Sequence, residues 1–307
     1  MENKKIHYLM LLVFSIFGLI NYFLIKNNII SDNLKLLIFC FFMILILGVS
    51  HGALDNLRGK NLFQPKFKKN WFIFFYPGYI LLSLVVIFCW IKFPAVTLLM
   101  FLVIASYHFG EEDLRFFFKG KGYFFNLVSF FKGALIITLS LHYNYETTAL
   151  FFEYLMVTQL EYEKFTKFKS LLFSANLIFL IISLIYLLRK QINKLVLILF
   201  EIIFILLSFI YLPLILAFSM YFCFLHSSKH IIELARELDA QNIRNGLKLF
   251  IVKAAPLTLL TAIFAFLSLY FLGQNINENI IQVIFIGLAS LTLPHIILEI
   301  LDKRYGQ

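Results

Sequence analysis

Residues 8–25 read YLMLLVFSIFGLINYFLI, eighteen positions without a charged side chain. An α-helix rising ~1.5 Å per residue needs about that many apolar residues to cross a ~30 Å hydrocarbon core. No small-residue cleavage site follows, so the stretch reads as a membrane helix rather than a removed leader. The rest of the chain follows suit. Of its 307 residues 61% are hydrophobic and 14% charged, against roughly 45–50% and 25% in soluble domains. A water-soluble fold could not cover that much apolar surface. The expected fold class is all-α, a polytopic transmembrane helix bundle, with residues 1–307 forming a single integral-membrane domain.

Apolar runs divide the chain into about ten spans, near 8–25, 36–54, 71–91, 95–110, 123–142, 169–188, 195–211, 213–232, 252–273 and 280–301. Pro213 and the length of the run around it place a turn between the seventh and eighth. The mixed connection 143–168 has room for a short interfacial helix. Alternating spans with both termini cytoplasmic put 19 Lys and Arg inside and 6 outside, with Lys132 and Lys229 within spans, which is the asymmetry the positive-inside rule expects. The net charge of +10 is therefore read as membrane topology, with no nucleic-acid partner. Cys40, Cys89 and Cys223 all fall in apolar runs, without a CxxC pair, and form no disulfide framework.

Seven histidines are present. His7 reads as interfacial, and His142 lies at the outer end of the fifth span. The other five, His51, His108, His226, His230 and His295, fall on the even-numbered spans within roughly 10 Å of one membrane face at 1.5 Å per residue. Ionisable groups in hydrocarbon are costly and mark functional sites. His226 and His230, i and i+4, share a helix face and can reach one metal, with histidines of the second and fourth spans completing the shell. All-nitrogen ligation suits iron, copper, zinc or nickel rather than magnesium or calcium. Carboxylates sit about one turn from four of these histidines: Asp55 after His51, Glu111, Glu112 and Asp113 after His108, Glu233 after His230 and Glu299 after His295. Metal-bound histidines usually donate their second ring N–H to such a group; Asp55 and Asp113 are the candidates for that role. Blander readings serve elsewhere. Lys132 is expected to snorkel, Trp71 and Trp90 to sit in the interfacial aromatic belt, and the 39 phenylalanines to face lipid rather than line a tunnel.

Four segments, GVSHGALD (48–55), SYHFGEED (106–113), AFSMYFCFLHSSKH (217–230) and LTLPHIILE (291–299), resemble in order and setting the signature blocks of the Brp/Blh family of membrane-bound bacterial and archaeal β-carotene dioxygenases. FKGALIITLSLHYN (131–144) resembles a weaker fifth block. Ser50, Ser140 and Asn144 stand where the family more often carries proline, which bears on local helix geometry. The resemblance implies non-haem Fe(2+) held by His51, His108, His226 and His230, with His295 matching a further motif histidine. It implies cleavage of the central double bond of β-carotene by dioxygen to give two retinal molecules, in the cell membrane, with a rhodopsin as a recipient of the product. Rival readings are a diiron desaturase or hydroxylase, which needs more HxxxH clusters than the one present; a membrane metalloprotease, whose EExxxR motif EEDLR (111–115) misses by one residue; a bis-histidine haem protein; and a transporter or non-catalytic rhodopsin assembly factor.

Overall fold

The computed structural model describes residues 2–29, 33–117, 120, 122–158, 168–273 and 275–305, the side chains of residues 2–4, 51 and 303 excepted. All regular elements among them are helical. The first half contains α1 (Glu2–Lys26), α2 (Asn33–Met43), α3 (Asp55–Phe67), α4 (Trp71–Lys92), α5 (Pro94–Arg115), α6 (Tyr123–Tyr143) and α7 (Tyr145–Tyr154). The second contains α8 (Lys169–Leu188), α9 (Ile192–Tyr211), α10 (Leu214–Met220), α11 (Ser228–Leu238), α12 (Ile243–Leu272) and α13 (Ile276–Tyr305).

Nine apolar helical stretches among the described residues are long enough to cross a bilayer. One of them, Asn33–Lys92, has 60 residues, about 90 Å of helix, three times a hydrocarbon core. It therefore holds two crossings, joined by the polar α3, and the bundle agrees with about ten spans. Leu9, Leu12 and Ile16 on α1, Leu81, Leu84 and Phe88 on α4, and Val252, Leu259 and Ile263 on α12 are all exposed. Apolar surface on this scale requires lipid rather than water around it, and the chain is a multi-pass membrane protein. Phe88, Phe93, Phe264 and Phe271 belong to this outer surface.

Local sequence sets the ends of the helices. Pro94 opens α5 at its first turn, where a missing N–H costs nothing. The Asn242 side chain caps α12 by accepting from the Arg244 and Asn245 N–H groups. Gly273, with φ 65°, closes that helix in the left-handed conformation. The predicted break at Pro213 is present: α9 stops at Tyr211, Leu212 is extended, and α10 begins at Leu214. The short helix expected in the 143–168 connection is α7; residues 159–167 lie outside the described part.

Two features were not anticipated. The chain is π-helical at Ile44–Gly48 and again at Tyr221–Ser227, immediately before His51 and at His226. Such segments are rare and frequent at functional sites. The two brace each other: Ser227 Oγ donates to the Gly48 carbonyl at 3.2 Å, Cys223 Sγ to that of Met43 at 3.4 Å, and a Cβ on Gly48 would strike the Phe222 ring. Trp90, expected in the interfacial belt, is instead fully buried, with Nε1 donating to the Leu155 carbonyl at 3.1 Å. An indole in the bundle interior needs such an acceptor for its N–H, and the turn after α7 provides it. Trp71 is partly buried and packs against Phe75.

Helices α5 and α6 pack backbone against backbone. A Cβ on Gly110 would collide with the Ser129 carbonyl, and one on Gly133 with that of Ser106. Each helix carries a small-xxx-small pair, Ser106–Gly110 and Ser129–Gly133, the spacing by which membrane helices approach closely. This contact fixes α5, the helix that bears His108, Glu112 and Asp113.

Candidate metal centre

Three i, i+4 pairs converge inside the bundle. His108 and Glu112 lie on the last turns of α5, His226 and His230 span the end of the second π segment and the start of α11, and His295 and Glu299 lie on α13. All six are buried. The His108 ring centroid is 5.5 Å from that of His226 and 5.4 Å from that of His295, and the His230 and His295 centroids are 5.9 Å apart. The structure thus brings together four of the five histidines singled out from sequence. The fifth, His51, lies in the 3₁₀ turn Val49–Leu54; its side chain is outside the described residues. The turn itself borders the cluster, since a Cβ on the adjacent Gly52 would lie 3.9 Å from His295 Nδ1.

Carboxylates enter the cluster from neighbouring helices. His295 Nδ1 meets both oxygens of Asp55, at 2.8 and 2.9 Å, and Tyr79 Oη donates to Asp55 Oδ2 at 2.9 Å. His230 Nδ1 lies 2.7 Å from Glu112 Oε2. His226 Nδ1 lies 3.7 Å from Asp113 Oδ1. Glu299 accepts from Arg58 Nη1 at 2.8 Å. The predicted partners Asp55 and Asp113 do face imidazoles, but across the bundle, on His295 and His226. A neutral imidazole that donates Nδ1–H to a carboxylate keeps its lone pair on Nε2. Asp55 and Glu112 therefore arrange His295 and His230 as metal-binding histidines are usually arranged.

Donor atoms of His230, His295 and Glu299 lie within 4.8 Å of one another, as do those of His108, Glu112 and Glu299, and those of Glu112, His230 and Glu233. These are groups that could hold a metal ion, and imidazole nitrogen with carboxylate oxygen suits a first-row transition metal. Carboxylates share the neighbourhood of the imidazoles, because α5 and α13 carry Glu112 and Glu299 inward beside His108 and His295. Aromatic rings pack around His226: Phe109 at 4.6 Å, and Phe222 nearly parallel at 5.7 Å. His142 takes no part in this packing and stacks on Phe173 of α8 at 4.7 Å.

Behind His226 lies a second group that sequence reading missed. Lys132, expected to snorkel, is 1% exposed and bonded to Asp113 Oδ2 at 3.0 Å and Glu201 Oε1 at 2.9 Å. Lys229 reaches Asp113 Oδ1 at 3.1 Å and Glu201 Oε2 at 2.8 Å. His7, expected at the interface, is fully buried, 3.5 Å from Glu201 Oε2 and edge-on to Phe117. Snorkelling fails because residue 132 faces α5 and α9, where two carboxylates offer what the headgroups would. The signals available were Glu201 in the middle of an apolar run and the small-xxx-small pairs that turn Lys132 inward.

No solved structure matches this chain. A curated protein named beta-carotene 15,15'-dioxygenase, from uncultured marine bacterium 66A03, is 27% identical over 258 residues, covering 83% of this chain and 90% of that protein. The family profile described as beta-carotene 15,15'-dioxygenase matches residues 42–302, from the end of α2 through α13. That range contains the paired π segments and every residue of the histidine cluster, and the chain belongs to the beta-carotene 15,15'-dioxygenase family.

Proposed function

We propose that this protein cleaves the central double bond of β-carotene with dioxygen to give two retinal molecules, at a ferrous iron held by His51, His108, His226 and His230 with His295 beside them. The carrying observation is the convergence of His108, His226, His230 and His295 in the bundle interior, in a chain whose family is described as beta-carotene 15,15'-dioxygenase. Iron held there would supply the one-electron chemistry that lets triplet dioxygen react with a closed-shell polyene. One carotene and one dioxygen become two aldehydes with no proton gained or lost, so no general acid or base is required.

The chain's own contribution is to bind, orient and exclude water. A carotenoid is dissolved in the bilayer, and a site among membrane helices receives it without extraction into water. Rings run outward from His226 through Phe222, Phe218 and Phe285 to Phe151, with successive centroids 5.7, 5.7, 5.3 and 6.1 Å apart. This wall offers flat apolar faces for a polyene and holds its reacting bond near the histidines. Asp55 and Glu112 hold imidazole orientation. The protein resides in the cell membrane, with the cluster toward the cytoplasmic face that the Lys/Arg distribution favours.

A second set of donors, Glu112 and Glu299 in place of one or two imidazoles, is favoured by their 4.8 Å grouping with His108, His230 and His295. Under the first reading His51→Ala removes metal and Glu299→Gln does not; under the second the order reverses. The test of function is expression in a β-carotene-accumulating bacterium. Loss of colour with retinal appearing supports the reading, and unchanged carotene with the protein present and iron-loaded refutes it.

A further inference from the structure

Lys132, Asp113, Lys229 and Glu201 form a closed square of four ion pairs, 2.8–3.1 Å on each side. They come from α6, α5, α11 and α9, and none of their side chains is more than 2% exposed. Two ammonium groups face two carboxylates, so the square is neutral as a whole. Tyr221 Oη, also fully buried, donates to Asp113 Oδ2 at 3.0 Å. Well-packed apolar side chains of the same volume would serve stability as well or better, because ions removed from water lose more than a pair recovers unless every donor and acceptor is used. In a membrane such groups mark function.

Where the square touches the histidine cluster indicates its function. Asp113 Oδ1 lies 3.7 Å from His226 Nδ1, while Asp113 accepts three bonds on its two oxygens, from Lys132, Lys229 and Tyr221. A carboxylate held by a single partner could rotate about its side-chain torsions. Three donors arriving from three elements fix both its plane and its position. Glu201 touches both lysines, through Oε1 to Lys132 and Oε2 to Lys229, and balances their charge.

We propose that Lys132, Lys229, Glu201 and Tyr221 are positioning residues: they form a charge-balanced cradle that fixes Asp113 against His226 and thereby sets the affinity of the metal site. The proposal rests on the reading of His226 as a metal ligand given above. Partners that orient a ligating histidine are each worth about 10–100-fold in metal affinity, and one donor of the cradle is expected to be worth about tenfold, the low end of that range.

The test is ferrous-iron affinity, measured by chelator competition on full-length protein in detergent, with the thermal midpoint recorded alongside. Two variants remove a donor without unbalancing charge: Tyr221→Phe, and the pair Lys132→Met with Glu201→Gln. Each is expected to keep the wild-type midpoint and to bind iron about tenfold more weakly. That loss is expected to vanish when Asp113 is already Asn, because the cradle acts through Asp113. Wild-type affinity in both variants overturns the proposal, as does the same fold-loss in the Asp113→Asn background. If Asp113→Asn does not fold, Tyr221→Phe decides alone: weaker iron binding at an unchanged midpoint supports positioning, and unchanged binding or a loss that tracks the midpoint overturns it. His226→Ala separates the two levels. Wild-type affinity in that variant, or no iron binding by the wild type, refutes the ligand reading itself. Loss in His226→Ala with no effect of the cradle variants refutes only the cradle.

Discussion

Gly133→Ala tests how the bundle holds the α5 residues in place. A Cβ at 133 would fall on the Ser106 carbonyl and lie 2.9 Å from the Gly110 nitrogen, where ordinary contact begins at 3.4 Å. The obstacles are backbone atoms, so no side chain can rotate aside and the two helices must move apart. Interiors packed to crystal-like density do not absorb such a shift locally, and overpacking of this kind costs about 1–3 kcal/mol. The helix displaced carries His108, Glu112 and Asp113, and a misplacement of about 1 Å at reacting groups costs about 100-fold in rate. Both effects are measurable: the thermal midpoint in detergent, and retinal formed per unit of protein in carotene-loaded membranes. Gly287→Ala is the control. That helical glycine has nothing within 4 Å of a built Cβ, so alanine there should be neutral or stabilising by about 0.5–1 kcal/mol. Gly133→Ala with a wild-type midpoint and wild-type rate would show that the α5–α6 approach is not what positions the site.

Three further outcomes follow from the same geometry. His226→Ala and His51→Ala each abolish retinal formation and lower bound iron measured by elemental analysis; wild-type activity in either removes that residue from the proposed shell. Glu112→Gln leaves the proposed ligand His230 without its carboxylate partner and weakens iron binding by about 10–100-fold, read by chelator competition; unchanged affinity would show that this contact does not orient a ligand. Trp90→Phe deletes the buried hydrogen bond to the Leu155 carbonyl and lowers stability by about 1–3 kcal/mol; an unchanged melting midpoint would mean that acceptor is otherwise satisfied.

Much of the bundle was legible in the residues. Runs such as 8–25 announce membrane helices because apolar transfer is summed over adjacent residues. Pro213 breaks a long run because it lacks an N–H and constrains the residue before it. Counting residues at a fixed rise grouped His108, His226, His230 and His295, and the structure places these four rings together. The readings of His7, Lys132 and Trp90 failed for one shared reason. An isolated polar group in an apolar run looks the same whether it reaches outward to headgroups or inward to a partner. Lys132 finds Glu201 69 positions away and His295 finds Asp55 240 away, and no local pattern encodes either meeting.

The sequence by itself determined the helical class and the apolar runs that make about ten spans, because hydrophobic transfer and helical rise are properties of a segment taken alone. Only the tertiary structure decided which carboxylate faces which histidine and where the buried lysines go. Those choices depend on which helix faces meet and how closely. Here that is governed by Gly110 and Gly133 letting two backbones touch, and by two π segments that set the rotation of the chain just where its histidines begin.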